Sequence, residues 1–397
     1  MSCDAISSSS AMGPLQIYIM AGQSNMLGMA DLKTFPYIGM DPETSPLLDM
    51  IYQEPPHENE EQVPSFRECE SVWISAIGSN NGDEEERHGK LTVGYGANRE
   101  KIGPELWFGL TLEHSQPTKQ QPILIIKTAW GGKSLHTDFR PPSAGPFEFS
   151  SKLLQQLERK GENLDQVKAS KKEATGKYYA LMMKHIRRAL QDIPQVYPEY
   201  NATMGYELSG FVWFQGWNDV VDSGFYQERN KPGGYDEYGR LLSLLVQDVR
   251  KDLSTPNLPV VIGVIGVHGP QDDNQLHGRF RQAMEMPAQQ EELQPIVAVR
   301  TESFWDSEIE ELDKKWREQV EKKARAIKEE KNLGRDEFRK QIDELAKESF
   351  TPVDLKKYKT GKSNAAYHYF GSAKFMARAG QAFAQAVQSL QFCSSVS

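Results

Sequence analysis

The sequence is poor in cysteine and has no long hydrophobic run. Its three cysteines, Cys3, Cys69 and Cys393, are too few and too scattered for a disulfide framework, and they lack the CxxC spacing of a metal site. No apolar stretch approaches the roughly 20 residues of a membrane-spanning helix. Residues 1–13 are polar and serine-rich and lack the apolar core of a signal peptide. The sequence therefore predicts a soluble, cytoplasmic protein; secretion with a signal already removed is the alternative.

An excess of positive charge is also missing. The formal net charge is −9, and no basic face is evident that would neutralise the phosphates of a nucleic acid. The charge says little about which uncharged substrate binds. Hydrophobic residues make up 38% of the chain and aromatic residues 10%. That is enough for a sizeable core in one large domain or two ordinary ones.

Short apolar runs alternate with helical patterns along the chain. The runs are rich in Ile and Val and apolar at consecutive positions, which suits strands covered on both faces. The predicted strands are Leu15–Met20, Pro122–Lys127, Gly210–Phe214, Pro259–Gly266 and Ile296–Arg300. The predicted helices are about Glu105–His114, Lys177–Ile193, Tyr235–Leu253, Gln275–Gln290 and Ser372–Leu390. This alternation predicts an α/β fold with a parallel sheet between two layers of helices.

Two segments interrupt the alternation. Residues 33–101 are rich in Pro, Glu, Gly and Asn and predict a long excursion over one rim, in which Val72–Ile74 and Leu91–Val93 pair as short strands. About half of residues 306–350 are charged, and apolar residues recur there at helical spacing on either side of a break at residues 332–334. This pattern predicts an inserted helical hairpin, which either covers the site, joins subunits or does neither. The predicted domain is 14–392, between a leader (1–13) and a tail (393–397).

The first strand runs into a small-residue turn that presents a serine. Ala21 and Gly22 permit the turn, and Ser24 follows at the carboxyl end of the strand, where open α/β folds bind their ligands. A hydroxyl placed there is a candidate nucleophile. Its own backbone N–H, at the start of the next helix, suits a developing negative charge. A helix-capping serine explains the pattern about equally well.

The next two strand ends carry groups that suit an oxyanion. After the second strand, the pair Gly131-Gly132 lets the backbone approach a ligand, and Gly132 is the preferred N–H donor, with Gly131 in reserve. After the third strand, the Asn218 carboxamide offers further N–H donors. The alternatives are an ordinary turn between strand and helix at Gly131-Gly132 and an Asn-Asp turn at Asn218-Asp219.

Polar and aromatic residues surround these candidates. Gln23 and Gln215 are predicted to contact substrate, and Gln215 and Asp219 either orient Asn218 or contact substrate as well. Trp217 is predicted to stack on a sugar face, although a core or lid role suits it equally. His368 lies in the loop before the last helix, after all the strands, and is the candidate base; a histidine that only packs or caps the helix is the alternative.

At these residues the chain resembles the SGNH hydrolase superfamily, within it the carbohydrate esterases that include sialate O-acetylesterases and acetyl-xylan esterases. The matching motifs are Gly22–Met26, Trp130–Leu135, Trp213–Asp219 and the segment around His368, with Ile102–Glu105 as a further match. The resemblance runs in order from about Pro14 to Leu390. It implies a flavodoxin-like three-layer α/β/α fold and removal of O-acetyl groups from sugars without a metal or other cofactor.

The chain departs from the superfamily at one position. An aspartate usually stands three residues before the histidine, and here that position is Ala365. Asn364 is the nearest polar neighbour and cannot supply a charge. Either a Ser24–His368 dyad suffices, or a carboxylate arrives from elsewhere, with Asp306 and Asp354 as the first candidates.

Together these motifs predict an acyl-transfer hydrolase. Ser24 is the nucleophile, His368 the base, and Ser24, Gly132 and Asn218 provide the oxyanion donors. The expected partner is an acetylated carbohydrate, with no nucleic acid and no membrane. A non-catalytic carbohydrate-binding protein on the same fold and an esterase for small non-sugar esters are the alternatives. The sugar, its hydroxyl position and the oligomeric state are left open.

Overall fold

The computed structural model shows one seven-stranded sheet and one two-stranded sheet. It describes residues 13–52, 65–79, 82–116 and 121–396, with side chains up to residue 392. The large sheet holds β1 (Leu15–Gly22), β3 (Val72–Ile77), β4 (Glu86–Lys90), β6 (Ile123–Ala129), β7 (Tyr206–Phe214), β8 (Val260–Val264) and β9 (Ile296–Arg300). The small sheet holds β2 (Ala30–Asp31) and β5 (Lys101–Ile102).

The large sheet is parallel except at one edge. The strand order is β4-β3-β6-β1-β7-β8-β9, and β4 alone pairs antiparallel, with β3. The first strand, β1, lies in the middle of the sheet. The next strands lie on its β6 side, and the later ones on its β7 side. The direction of winding therefore reverses beside β1, and such a reversal opens a crevice at the carboxyl ends of the strands.

The helices connect these strands and lie on both faces of the sheet. Early in the chain are α1 (Ser24–Leu27), α2 (Phe35–Ile38), α3 (Ser45–Asp49), α4 (Glu105–Ser115), α5 (Ser151–Arg159), α6 (Leu164–Ala174), α7 (Lys177–Gln191) and α8 (Ile193–Val196). Later come α9 (Trp217–Val220), α10 (Asp236–Asp252), α11 (Leu276–Glu285), α12 (Ser307–Trp316), α13 (Lys322–Lys331), α14 (Arg335–Ser349), α15 (Pro352–Gly361) and α16 (Ala373–Val396).

Neighbouring residues of one strand show why both faces are covered. On β3, Val72 packs at Gly109 of α4, whereas the next side chain, Trp73, contacts Tyr197 just after α8. Successive side chains of a strand point to opposite faces, so α4 and α8 lie on opposite sides of the sheet. The consecutive apolar residues of the central strands are buried for this reason.

The five predicted strands and five predicted long helices are all present, with ends shifted by a few residues. The predicted pairing of Val72–Ile74 with Leu91–Val93 is wrong. The antiparallel partner of β3 is β4, which directly precedes Leu91; of the predicted partner segment, Leu91 donates its N–H to the Val72 carbonyl at 2.8 Å. β4 is polar and only partly buried, because it forms an exposed sheet edge, so a search for apolar runs misses it.

The charged hairpin (residues 306–350) is helical on both sides of a left-handed turn. One arm consists of α12, a π-helical turn at Arg317–Glu321 and α13; the other arm is α14. Asn332, with φ of 50°, ends the first arm. The apolar stripe is buried at Leu312, Val320, Ala324 and Leu345, so it holds the arms together, while most of the charged residues face outward and Asp313 is buried.

In the part of the chain that the structure describes, no helix is long and apolar enough to cross a membrane. The predicted leader falls almost entirely on residues 1–12, outside the described residues. The domain boundaries and the compartment therefore stay predictions. Cys69 is buried as a free thiol, while nothing is described of the side chains of Cys3 and Cys393.

Candidate active site

The serine turn begins where β1 passes very close to β7. A Cβ on Gly22 would lie 2.1 Å from the carbonyl oxygen of Phe214, so only glycine permits this approach. The Gln23 N–H donates to the same carbonyl, at 3.3 Å. Ser24 then opens α1, and its N–H belongs to the first-turn donors that a helix cannot satisfy itself.

Gln23 holds the serine turn against the Asn218 segment. Its Oε1 accepts hydrogen bonds from Gln215 Nε2 at 3.1 Å, from the Gly216 N–H at 3.1 Å and from the Asn218 N–H at 3.3 Å. Its Nε2 donates to Asn218 Oδ1 at 2.9 Å. Because the oxygen of the Asn218 amide faces Gln23, Nδ2 is the atom of that amide that can donate to a substrate.

The predicted substrate contacts of Gln23 and Gln215 are not what these side chains do in this structure. Both polar atoms of the Gln23 side chain are hydrogen-bonded within the protein, and the residue is only 1% exposed. Gln215 Nε2 donates to Gln23 Oε1, to the Lys133 carbonyl at 3.0 Å and to Asp219 Oδ2 at 2.6 Å. Both glutamines therefore position the site, and Gln215 ties the Gly131-Gly132 turn to it.

Asp219 holds the main chain that follows the glycine turn, rather than the Asn218 side chain that the sequence analysis had it orient. The buried carboxylate accepts the Leu135 N–H at 2.8 Å and the His136 N–H at 3.2 Å, both just after the glycine turn. It also accepts the hydroxyl of Tyr226 at 2.9 Å. Burial raises the pKa of this carboxyl above its usual range.

The Gly131-Gly132 turn starts beside Gly22 and opens to solvent. The Trp130 N–H donates to the Gly22 carbonyl at 3.2 Å. The turn therefore begins in contact with the residue two positions before Ser24. Gly132 has φ of 71°, which favours glycine, and a Cβ there would meet no atom within 4 Å. The turn is thus free on its outer side, where a ligand can approach.

Ser24 and His368 form a direct hydrogen bond. Ser24 Oγ and His368 Nε2 are 2.9 Å apart, although 344 residues separate them in sequence. On the other side of the ring, Nδ1 lies 3.0 Å from Asn364 Oδ1. The same oxygen accepts the Ala365 N–H at 2.8 Å, which fixes the amide with its oxygen toward the ring. Since this oxygen only accepts, Nδ1 carries the proton, and Nε2 is left to accept the Ser24 hydroxyl.

The expected carboxylate candidates do not reach His368. Asp306 caps α12 by accepting the Ile309 N–H at 2.9 Å and lies 3.7 Å from Lys374 Nζ. Asp354 lies in the first turn of α15. Both suggestions were wrong, because the loop that carries His368 turns its own Asn364 onto the ring instead.

Burial lowers the pKa of His368 to about 4, and the positive charge of Lys101 acts in the same direction. A carboxylate beside the ring would favour the imidazolium and oppose this shift. The ring is therefore neutral at neutral pH, the state that a proton acceptor requires.

The loop that carries His368 has a strained backbone. Tyr369, Phe370 and Gly371 have φ of 51°, 60° and 59°, and left-handed bulky residues cost about 1–3 kcal/mol each. Packing compensates: the Tyr369 ring stacks on Phe375 at 3.4 Å between centroids, and its hydroxyl accepts the Gly266 N–H at 2.8 Å. Asn25 Nδ2 also donates to the Tyr367 carbonyl at 3.2 Å, which joins this loop to the serine turn.

A buried lysine beneath the serine turn was missed by sequence reasoning. Lys127 Nζ donates to the Leu27 carbonyl at the end of α1 at 2.8 Å, to the Tyr95 carbonyl at 3.0 Å and to Glu105 Oε2 at 2.7 Å. Burial lowers the pKa of Lys127, while the neighbouring carboxylate favours its charge. A lysine in an otherwise apolar strand was the available signal, because a buried charge needs a partner.

Trp217 lies in a row of rings beside the site. Its plane is within 18° of those of Tyr367 and His277, with centroids 5.7 Å and 6.3 Å away. Tyr367 is 42% exposed, and its ring centroid is 4.5 Å from that of His368. Trp217 therefore packs on protein rings. Of the three nearly parallel rings, Tyr367 is the exposed one; His268, which is also exposed, is tilted by 53° to Trp217 and lies 6.2 Å from it.

The structure thus brings all four predicted motifs to the carboxyl edge of the sheet. Among the described residues, no group of three or more His, Cys, Asp or Glu side chains is placed to hold a metal ion. The arrangement provides a buried hydroxyl, a neutral imidazole to which that hydroxyl is hydrogen-bonded, and an amide close by.

Comparison with known proteins defines the class first: the chain is a carboxylic ester hydrolase of the carbohydrate-esterase type. Residues 14–312 match the family described as "carbohydrate esterase, sialic acid-specific acetylesterase", and the chain belongs to that family. The resemblance noted in the motifs is confirmed at this level. The matched range holds Ser24, Gly132 and Asn218 and ends before Asn364 and His368.

The solved structures that match the chain share little sequence with it. A protein from Arabidopsis thaliana is 17% identical, with a TM-score of 0.37, covering 72% of this chain and 86% of that one. A novel carbohydrate acetylesterase from Xanthomonas citri is 13% identical, with a TM-score of 0.38, covering 72% and 49%. The structure of NanS is 16% identical, with a TM-score of 0.38, covering 73% and 79%. No curated protein matches the chain in sequence.

Proposed function

We propose that the protein is a serine esterase that removes O-acetyl groups from sugars through an acetyl-enzyme intermediate. The fold we propose is the flavodoxin-like three-layer SGNH arrangement, with the charged hairpin as an insertion. The observation that carries the proposal is the row of hydrogen bonds from Ser24 Oγ through His368 to Asn364 Oδ1. It supplies a nucleophile, a base in the required tautomer and a group that orients the base.

In the first half-reaction, Ser24 Oγ attacks the acetyl carbonyl carbon, and its proton moves to His368 Nε2. The carbonyl π electrons move to oxygen, which becomes the tetrahedral oxyanion. When the oxyanion collapses, the bond from carbon to the sugar oxygen breaks, and His368 returns the proton to that oxygen. Water then attacks the acetyl-enzyme by the same steps, and acetate leaves.

Three N–H donors are proposed for the oxyanion. They are the backbone N–H groups of Ser24 and Gly132 and the Nδ2 of Asn218. The support is that Ser24 opens a helix, that Gly132 lies in an open turn beside Gly22, and that Gln23 fixes the Asn218 amide. Removing one such donor typically costs about 100- to 1,000-fold in kcat.

Burial, with Lys101 nearby and no carboxylate beside the ring, lowers the basicity that His368 can bring to the reaction. A His368 pKa of about 4 rather than 6.5 makes the imidazolium roughly 3 kcal/mol less favourable than in water. The oxyanion that forms beside the ring offsets part of this cost, because it is an opposite charge at short range. The proposal therefore includes a lower turnover than a carboxylate-supported site would reach.

Acetate release by the wild-type protein, Ser24→Ala and Ser143→Ala tests the proposal. The substrates are an aryl acetate, an O-acetylated sialic acid and an acetylated xylose. Ser24→Ala should lose on the order of a thousandfold or more in kcat. Ser143→Ala, an exposed serine, should match the wild type. Equal rates for the wild type and Ser24→Ala would contradict the proposal and favour a sugar-binding role.

A further inference from the structure

The sugar half of the substrate must lie beside His368 in the proposed reaction. The sugar oxygen receives its proton from His368 Nε2 as the ester breaks, so it must lie within hydrogen-bond distance of that nitrogen. The sugar, which is bonded to this oxygen, therefore lies next to the imidazole. Ser24, Gln23 and Asp219 are buried and present little surface on which a sugar ring can pack. The sugar must therefore extend toward the exposed side of the imidazole.

Tyr367 is the exposed ring nearest to this position. Its centroid is 4.5 Å from that of His368, and 42% of its surface is exposed. Its main chain is fixed through the bond from Asn25 Nδ2. On its protein side it stacks nearly parallel to Trp217, at 17°. The ring is thus held in a set orientation while it remains accessible.

The rings beside Tyr367 carry no charge at neutral pH. Trp217 is uncharged, and burial lowers the pKa of His277, the next ring in the row, to about 4, so it is neutral at neutral pH. Lys101 lies close enough to lower the pKa of His368, which disfavours a cation here. An aromatic face without charge packs well against the C–H face of a pyranose.

We infer that Tyr367 is a specificity residue: the sugar ring of the leaving group stacks on it, with Trp217 supporting it from behind. The inference rests on the proposed function, since that function places the sugar beside His368. It moves the sugar contact predicted for Trp217 to a residue that the sequence motifs do not single out. Stacking contributes to binding before and during the reaction, so its loss should raise KM and leave kcat nearly unchanged.

The test compares the wild type with Tyr367→Ala and Tyr367→Phe. The control is Met204→Ala, which truncates an apolar side chain elsewhere on the surface; Met204 is 40% exposed. The substrates are ethyl acetate, which has no ring, and the acetylated sialic acid or xylose, whichever the wild type cleaves faster. Tyr367→Ala should lower kcat/KM for the sugar about five- to tenfold, mainly through KM. It should leave ethyl acetate unchanged, and Tyr367→Phe and Met204→Ala should match the wild type. Equal losses on both substrates, or no loss on the sugar, would overturn the inference.

A binding measurement separates this inference from the proposed function. Calorimetric titration with the same acetylated sugar is done on Ser24→Ala with and without Tyr367→Ala. The expected result is a dissociation constant about five- to tenfold higher in the double variant. If the wild type cleaves neither ester but this difference is found, the stacking site stands and the esterase proposal falls. Equal affinities would overturn the stacking site, whatever the rates.

Discussion

Asn364 is the residue that orients the His368 ring. It occupies the place beside His368 Nδ1 where a carboxylate would stabilise the imidazolium, and it supplies a carbonyl oxygen at 3.0 Å instead. The oxygen selects the tautomer that leaves Nε2 free to accept the Ser24 proton. Cysteine proteases with a Cys-His-Asn site use an amide in the same way.

Substituting Asn364 should separate orientation from charge. Asn364→Leu removes the acceptor for Nδ1–H, so kcat for an aryl acetate should fall roughly ten- to a hundredfold. Asn364→Asp keeps an acceptor and adds a negative charge, so kcat should be kept or raised. Asn230→Leu, at an exposed asparagine, is the control. Unchanged kcat in Asn364→Leu would show that the ring needs no orienting group.

The pH dependence of kcat/KM should report the low pKa of His368. Only the neutral ring accepts the proton, so activity is lost as pH falls through the pKa, and the acid limb should lie near pH 4 rather than near 6.5. Lys101→Met removes a positive charge that lowers this pKa, so its limb should move to higher pH. Asn364→Asp should move it up as well. A wild-type limb near pH 6.5, or a downward shift in Lys101→Met, would contradict the assignment.

Among the elements, the charged hairpin is connected to the loop that carries His368. On α12, the buried carboxylate of Asp313 accepts hydrogen bonds from Lys362 Nζ and from the Tyr358 hydroxyl. Lys362 directly precedes Ser363, whose hydroxyl donates to the Gly371 carbonyl at 2.7 Å. The base of the hairpin thus helps to hold both ends of a loop whose backbone is strained at Tyr369 and Phe370.

Weakening this connection should reduce turnover without changing substrate affinity. Asp313→Asn removes the charge that pairs with Lys362 while keeping the side-chain shape. The imidazole should then be held less well, and kcat should fall about three- to tenfold with KM unchanged, because small misplacements of catalytic groups are costly. The measurement is a kcat and KM determination on ethyl acetate, well below the unfolding midpoint.

Asp336→Asn makes the same charge change at the exposed turn end of the hairpin and should behave as the wild type. If Asp313→Asn lowers only the unfolding midpoint and leaves kcat intact, the hairpin base supports the fold and not the imidazole.

At the scale of the whole molecule, the sheet and the site are predictable from sequence to different extents. The central strands were predictable because strands buried on both faces are apolar at consecutive positions, as in Ile123–Ala129. The edge strand Glu86–Lys90 was not, because an exposed polar edge has no such pattern. The exposed helices Ser151–Arg159 and Leu164–Ala174 bury no residue fully and were missed for the same reason.

The site divides in a similar way. The serine, glycine, asparagine and histidine motifs predict Ser24, Gly132, Asn218 and His368 as site residues, because each motif follows a strand or precedes a helix in a recognisable order. The parts played by Asn364 and Gln23 depend on the path of a strained loop and on hydrogen bonds between residues 195 positions apart. Local sequence patterns carry no information on such contacts. The sequence analysis therefore gave Asn364 no role and predicted a substrate contact for Gln23.

The central claim is that Ser24 is a nucleophile because His368 takes its proton. Reaction with a fluorophosphonate, followed by peptide mass spectrometry of wild type, His368→Ala and the control His114→Ala, tests this most directly. The account predicts one adduct, on Ser24, formed at the same rate in wild type and His114→Ala and at least a hundredfold more slowly in His368→Ala, on the order expected for loss of a general base. No adduct on Ser24, or equal labelling in His368→Ala, would contradict it.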